Sequence, residues 1–387
     1  MIFCSIFFWI FSFIIVWAMG GYALSLKVLG KIFSGRRLIK DYSYRPTVTV
    51  MIVAHNEEKV ILDKLNNVIS NDYPKDLIEY IVASDFSTDS TNQIVEKFIE
   101  DHPDYKITLY KSREHKGKTN AQNEAQKIAS GDILIMTDAN AMFKENSISE
   151  LVACFTDEKI SYVTGKLIYK NANENSTALS ESSYWETDLQ QRETESRIKT
   201  ITAGNGAIYA CRNASYFDFD PIKCHDSSMP YYYAVHGKRA IYNPDAIAYE
   251  KAGEITEDEF KRKVRMNRII LDALKDGAKV LNITKYGWFS YFYFGHRTCR
   301  YLLWLAHALV LITSIINAKS SWFYRLAFVG QAVFYVIATV NYFIKSKNRF
   351  VNMITYYSMT ILAQWKGVIN CITGKAKPVW DKAESTR

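Results

Sequence analysis

The sequence predicts an α/β protein: a mostly parallel sheet flanked by helices, with transmembrane helices toward its amino- and carboxyl-terminal ends. Three observations lead there. Between Thr47 and Ala139, runs of β-branched residues alternate with stretches of helical spacing. From Met1 to Leu26 there is no charged residue. Two more apolar runs, Tyr301 to Ala318 and Tyr324 to Ile344, lie near the other end. Strand alternating with helix implies parallel strands covered on both faces.

Val48 to Val53 reads as the first strand, and Glu57 to Ile69 has helical spacing through Val60, Ile61, Leu65 and Val68. Tyr80 to Ala83 is the second strand, followed by a helix over Thr91 to Ile99 with Asp89 or Ser90 as its cap. Ile107 to Tyr110 is the third strand, Thr119 to Ala129 a helix, and Ile133 to Met136 the fourth strand. A polar residue follows each strand in turn: Glu57, Asp85, Lys118 and Asp138. Ligands of open α/β sheets bind beyond the carboxyl ends of the strands. These four are therefore candidate site residues.

A spanning helix needs about 20 mostly apolar residues, which the segment Met1 to Leu26 supplies. A signal peptide would carry a basic leader, and none precedes the apolar run. Lys27, Lys31, Arg36, Arg37 and Lys40 come next and, by the positive-inside tendency, place the following domain in the cytoplasm. Lys345, Lys347 and Arg349 after the later pair of runs agree with that orientation. The aromatic stretch Trp288 to Phe294 suits the membrane interface. Phe350 to Ile372 is long enough to cross, but Asn352, Gln364, Lys366 and Asn370 dilute it, and a crossing would put Lys375, Lys377 and Lys382 outside. The expectation is a multi-pass protein of the plasma membrane, with the lipid bilayer as one partner.

Composition excludes several classes. The net charge is +8, but Lys and Arg flank apolar ends rather than forming a nucleic-acid-binding patch. Six cysteines without paired spacing fit neither a zinc motif nor a disulfide framework. The first strand is followed by Ala54-His55-Asn56-Glu57-Glu58, not by the Gly-x-Gly-x-x-Gly of a dinucleotide fold. Gly117-Lys118-Thr119 matches the end of a P-loop, yet Ser112 stands where that motif needs glycine.

Five motifs in order carry a resemblance. They are Ala54 to Glu58, Ser84 to Asp89, His115 to Ala121, Thr137-Asp138-Ala139-Asn140-Ala141 and Gly204 to Tyr209. From about Pro46 to Leu271 the chain resembles the family 2 glycosyltransferases of GT-A type, especially their membrane-bound polysaccharide-synthase branch. The resemblance implies a nucleotide-sugar-binding half over 46–145 and an acceptor half over 146–285. Around these lie a spanning helix at 1–26, a basic linker at 27–45 and an interfacial segment at 286–298. Two spanning helices at 299–345, the segment 350–372 and a basic tail at 373–387 complete the expected organisation.

The same resemblance implies roles. Glu57, Asp85, Lys118, Asp138 and Arg265 would bind the donor, Asp85 at the base and Lys118 at the diphosphate. Asp138, assisted by Asn140, would hold Mg2+ or Mn2+, hard cations that prefer oxygen ligands. Asp226, before Met229-Pro230, would be the catalytic base of an inverting displacement. Tyr184, Trp185, Gly204, Asn205 and Gly206 would line the acceptor side. Four positions depart from the family pattern: Phe86 for glycine, Asn140 and His225 for acidic residues, and Met266 for tryptophan. The last removes an aromatic platform and puts processive extension in question.

The expected partners are a nucleotide-sugar donor, with a UDP-sugar foremost, and a lipid-linked or saccharide acceptor. With so few spanning segments, product export would need a homo-oligomer or an export partner. An inactive sugar-nucleotide sensor that retains the fold is the alternative reading.

Overall fold

The computed structural model describes residues 2–35, 37–170, 176–251, 256–346 and 348–379, and for 176–185 and 256 the backbone alone. Arg36, Lys347 and Lys382 of the basic pattern lie outside these residues. The chain divides into two compact units. One holds Ile32–Asn171, Asp188–Ala252 and Lys377–Arg387, and the other Met1–Lys31, Ala172–Thr187 and Gly253–Ala376.

The first unit is built on an eight-stranded sheet. Its strands are β1 (Val48–Ala54), β2 (Ile78–Ser84), β3 (Ile107–Lys111), β4 (Ile133–Asp138), β5 (Met142–Phe143), β6 (Ile160–Tyr169), β7 (Ile208–Arg212) and β8 (Arg239–Glu250). They lie in the order β3-β2-β1-β4-β7-β6-β8-β5. β3, β2, β1 and β4 are mutually parallel neighbours, as the alternating pattern predicts. β7 pairs antiparallel with both β4 and β6, β8 runs parallel to β6, and β5 closes the edge antiparallel to β8. The sheet is thus mixed beyond β4.

Period-two alternation places successive side chains on opposite faces of a strand, and both faces here are covered. Val48, Val50 and Ile52 of β1 join Tyr80 and Val82 of β2 and Ile133 and Ile135 of β4 in one core. Helices Ile61–Ile69 and Thr91–Asp101 cover that face through Ile61, Leu65, Val68, Val95 and Phe98. Met51, Val53, Ile81, Ala83, Leu134 and Met136 enter the opposite core, covered by Ala121 and Ala125 of helix Lys118–Gln126 and Met229 and Tyr233 of helix His225–Val235.

Two helix boundaries differ from expectation. The first helix begins at Ile61 rather than Glu57. Asn56 takes a left-handed φ of 55°, and Glu57 to Val60 form a separate turn closed by Val60 N–H on the Glu57 carbonyl at 3.0 Å. The third helix runs Lys118–Gln126, and its last residues before Ala129 are turns. At the start of helix Thr91–Asp101, Ser90 holds the cap position without a side-chain bond, and Asp89 Oδ1 accepts from Thr91 N at 3.0 Å.

The second unit is helical. Among the described residues, Ile2–Ile32 and Trp322–Ile344 are long and apolar enough to cross a membrane. The first passes through a π-helical turn at Trp17–Gly21 and continues beyond Leu26 to Ile32. The run expected at Tyr301 to Ala318 is the helix Leu303–Asn317, the second limb of a bent pair that begins with Trp288–Tyr301 and makes a third span if its 63° break is one crossing. The aromatic stretch from Trp288 belongs to the first limb of that pair.

Arg349–Ile372 is one continuous helix that does not reach the same apolarity. Two of its diluting polar residues satisfy buried partners. Gln364 donates to the Arg300 carbonyl at 2.9 Å and accepts from Trp304 N at 3.1 Å, spanning the break in the bent pair. Asn352 accepts from Asn341 at 3.1 Å. Groups without water must find partners within the protein, so these amides join helices.

Candidate active site

The parallel register brings the expected residues to one edge. Ala54 of β1 pairs with Ser84 of β2, Ser84 with Lys111 of β3, and Val53 with Asp138 of β4. The four carboxyl ends are level, and the polar residues stand on the loops just beyond them.

At the centre is an ion pair. Lys118 opens its helix after Gly117, and its Nζ donates to Asp138 Oδ1 and, at 3.3 Å, to the Gly206 carbonyl. Burial pulls the Lys118 pKa down, but the Asp138 carboxylate, with Asp226 and Cys224 adding, outweighs this and holds it above its ordinary value. Lys118 is therefore a permanent cation at neutral pH. Gly206 leaves the space beside both groups: a Cβ there would lie 3.1 Å from Lys118 Nζ and 3.8 Å from Asp138 Oδ2. Gly117 has a φ of 94°, and a side chain there would meet the Pro378 carbonyl at 2.7 Å. Asp226 sits in the first turn of helix His225–Val235, half-buried, and its main-chain oxygen accepts from Gly204 N at 2.7 Å.

Several expected ligands are engaged otherwise. Asp85 is wholly buried, and its carboxylate takes His115 Nδ1 at 2.8 Å, Gly117 N at 2.8 Å and Lys116 N at 3.1 Å. It builds the loop that carries Lys118. The Asn140 side chain donates to Glu250 Oε1 at 2.8 Å. Asn205 is also turned inward: Nδ2 donates to the Gly165 carbonyl at 2.7 Å, and Oδ1 accepts from Ala207 N and Ile208 N at 3.2 and 3.1 Å. Gly204 lies against Tyr162, whose hydroxyl would be 2.0 Å from an added Cβ. Glu57 is buried with its N–H on Thr91 Oγ1 at 2.8 Å.

Arg265 lies on helix Thr256–Met266 of the helical unit, where its neighbours Arg262 and Lys263 flank Glu259 at 2.7 and 3.5 Å. Tyr184 and Trp185 fall in helix Ser176–Ile198, outside the described side chains.

Sequence reasoning gave no structural role to three residues. Asn56 Oδ1 accepts from Thr88 N at 2.7 Å and Asp89 N at 3.4 Å, locking the β2 loop to the β1 loop. Its tolerance of left-handed φ was the available signal. Lys64, on the first helix, is fully buried behind the fourth strand, with Nζ 2.9 Å from Thr137 Oγ1, bonded also to the Ala141 carbonyl, and 4.0 Å from the Phe143 ring. It clamps the two ends of the segment bearing Asp138 and Asn140. The third is His225, buried between Tyr209 (3.1 Å), Tyr216 (3.3 Å) and Asn123 (3.3 Å). Burial, with Lys118 adding, pushes its pKa down to about 3, so it stays neutral. A carboxylate here would need a charged partner; the imidazole is satisfied by hydroxyl and amide groups.

The fold and this charged strand edge define a GT-A-type α/β domain. Residues 49–219 match the family model described as glycosyl transferase family 2. A probable glycosyltransferase, YdaM, of Bacillus subtilis strain 168 is 37% identical over 129 residues, covering 33% of this chain and 31% of that protein. Poly-beta-1,6-N-acetyl-D-glucosamine synthase of Staphylococcus aureus strain COL is 25% identical over 224 residues, 56% of this chain and 53% of that one. Both matches therefore span only about a third to a half of the relatives' lengths. Among solved structures, the mannosyltransferase PcManGT from Pyrobaculum calidifontis, in complex with GDP-Man and Mn2+, superposes with a TM-score of 0.71. That likeness covers 95% of this chain and 99% of that one at 22% identity, and it speaks for the fold.

Proposed function

We propose that the protein is an inverting glycosyltransferase that moves a sugar from a nucleotide-sugar to a lipid-linked or saccharide acceptor at the cytoplasmic face of the membrane, in cell-surface polysaccharide synthesis. The observation that carries the reading is the Lys118–Asp138 pair beside Gly206, with the Asp226 charge close enough to act on Lys118. A cation and a metal-capable carboxylate meet where a family 2 domain handles a diphosphate.

Glycosyl transfer forms a bond from an acceptor hydroxyl to the anomeric carbon and breaks the bond to the diphosphate oxygen. Negative charge gathers on the departing diphosphate, and preorganised positive groups lower that barrier. Lys118 suits this task because its charge is already fixed by its neighbours. Helix Lys118–Gln126 begins at the same residue, and its first N–H groups add to anion binding.

Asp138 is a partly exposed carboxylate with Oδ2 facing the Gly206 space. One carboxylate fits Mg2+ or Mn2+, which keep water or phosphate oxygens in their other positions. When bound, the cation supplies further charge stabilisation for the leaving group. Asn140 donates its amide nitrogen to Glu250, which orients the side chain and leaves the amide oxygen to assist Asp138 as the weaker ligand. Asp226 accepts the proton of the attacking hydroxyl, and a single displacement with one base inverts the anomeric centre. The helices Ile2–Ile32 and Trp322–Ile344 support a multi-pass anchor.

The test uses purified membranes given a panel of labelled sugar nucleotides with Mg2+ or Mn2+. One donor should yield transferred sugar of inverted configuration. Asp226→Asn should abolish transfer while donor binding stays within a few-fold. Donor binding without transfer or hydrolysis across the panel would leave the sensor reading, and normal turnover by Asp226→Asn would overturn the base assignment.

A further inference from the structure

The Lys118–Asp138 pair serves both ligands of the proposed donor site, a diphosphate and a divalent cation, and it cannot serve them independently. Lys118 Nζ is bonded to Asp138 Oδ1 and, at 3.3 Å, to the Gly206 carbonyl. A carboxylate committed to an ammonium ion is a poor ligand for a second cation, because the two positive charges then meet across one short side chain. Asn140 stands where the family pattern has an acid, so a single ammonium neutralises the carboxylate of this segment. Both members of the pair are partly exposed, and a ligand can reach them.

Asp138 is the fixed partner. It ends β4, paired with Val53 of β1. The preceding Thr137 is held from behind by buried Lys64, whose Nζ lies 2.9 Å from Thr137 Oγ1, and the same hydroxyl donates to the Ala207 carbonyl at 2.9 Å. Lys64 also bonds the Ala141 carbonyl, which ties the far end of the segment. Lys118 is the movable partner. Its loop is anchored where Asp85 takes Lys116 N and Gly117 N. Its ammonium, however, rides on a flexible four-carbon stem and carries three rotatable donors. Swinging that stem exchanges a carboxylate oxygen for a phosphate oxygen without moving the backbone.

We propose that Lys118 is an internal counter-ion that couples the two ligands: it closes Asp138 to a divalent cation arriving alone and releases it when a nucleotide diphosphate takes the ammonium. The inference rests on the reading of Lys118 as the diphosphate's partner and Asp138 as the cation's. No covalent bond changes; one hydrogen-bonded ion pair is exchanged for another. The diphosphate supplies the negative charge that lets an ammonium and a divalent cation share the site. Coupling of this kind is reciprocal, so each ligand raises the affinity of the other by the same factor.

Mn2+ binding to the 387-residue chain in detergent, without nucleotide, is read from the loss of the free-ion electron paramagnetic resonance signal. Lys118→Met should bind Mn2+ about 10-fold or more tightly than the parent. Lys118→Gln, which keeps a side-chain donor for the Gly206 carbonyl, should gain likewise. Adding Asp138→Asn to either variant should erase the gain. Lys116→Met removes the same charge from the same loop, where it pairs with Glu114 at 3.0 Å on the surface, and should leave Mn2+ affinity within about twofold. Equilibrium dialysis with labelled UDP, GDP, ADP and dTDP should show Mn2+ tightening the binding of one of them to the parent, and a smaller enhancement in Lys118→Met. Thermal unfolding midpoints near that of the parent show that the variants remain folded. Mn2+ affinity unchanged in both Lys118 variants, a gain that persists with Asp138→Asn, or an equal gain in Lys116→Met overturns the proposal. These results leave the donor site standing if a nucleotide still binds. Binding of none of the four by the parent with Mn2+ removes the donor-site reading itself, and this inference with it.

Discussion

Replacing Lys64 by methionine isolates a buried charge behind the segment that carries Asp138. Lys64 is fully buried, and burial, partly offset by Asp138, brings its pKa down to about 7 from an ordinary 10.5. In the unfolded chain the amine keeps its proton up to the ordinary value. Between pH 7 and 10.5 the unfolded state thus binds more protons than the folded state, and stability rises with pH across that window. Below it both states are protonated and the contribution is flat. From pH 7 to pH 9 the gain is two pH units of linkage, at most about 3 kcal/mol. In a domain of this size that corresponds to roughly 6–12 °C in Tm.

Lys64→Met removes the titrating group while keeping most of its volume. It also strips the Ala141 carbonyl of its donor, an offset of about 1–3 kcal/mol that does not depend on pH. The informative quantity is therefore the difference in slope between parent and variant. Thermal unfolding of both proteins in detergent from pH 6.5 to pH 9 measures it. The parent should gain stability relative to Lys64→Met as pH rises. Parallel profiles would show that the ammonium stays charged, held by Thr137, Ala141 and the Phe143 ring, and would refute the linkage argument.

Three further outcomes follow from the same structure. His225, neutral with a pKa of about 3, contributes stability that is complete above the ordinary histidine range and is lost as pH falls from about 6.5 toward 3; His225→Ala should lower Tm at neutral pH and flatten the acid limb of the stability profile. Asn205→Ala removes the acceptor for two buried N–H groups and should cost about 2–4 kcal/mol, measured by denaturant unfolding. Phe86 has an exposed ring and a φ of 57°, a left-handed conformation that costs a non-glycine residue about 1–2 kcal/mol. Phe86→Gly should therefore raise Tm slightly despite the greater freedom of glycine in the unfolded chain, and a fall in Tm would show that the ring is packed in solution.

The parallel half of the sheet was legible because each of its strands is a short β-branched run followed by a helix of clear period. Val50, Ile52, Val82 and Ile135 are buried on one face and Met51, Val53, Ala83 and Met136 on the other, a pattern that only a doubly covered sheet needs. Beyond Asp138 that signal fades. β5 has only two residues, and β8 spans Arg239–Glu250 across a proline and two register shifts against β6. No local period announces such strands; their pairing depends on partners far away in sequence. The bent pair was likewise hidden, since apolar composition reads the same in a straight helix and in one broken at Leu302.

The site shows the same division between position and partner. Spacing located Lys118 and Asp138 at strand ends, and the fold joins them in an ion pair. Spacing could not tell which way a polar side chain turns. Asp85 and Asn205 sit inside motifs that point toward a ligand, yet each spends its hydrogen bonds on the backbone of a neighbouring loop. A buried polar group without partners costs about 1–3 kcal/mol, so the loops that shape a cleft recruit such residues first. Motif residues therefore fall into those that face the cleft and those that build it. Lys118, Asp138 and Gly206 share the open space, whereas Asn56, Asp85, Asn205 and His225 hold the loops around it. Substitutions in the first group should act on donor binding or turnover with little change in Tm. Those in the second should lower Tm and activity together.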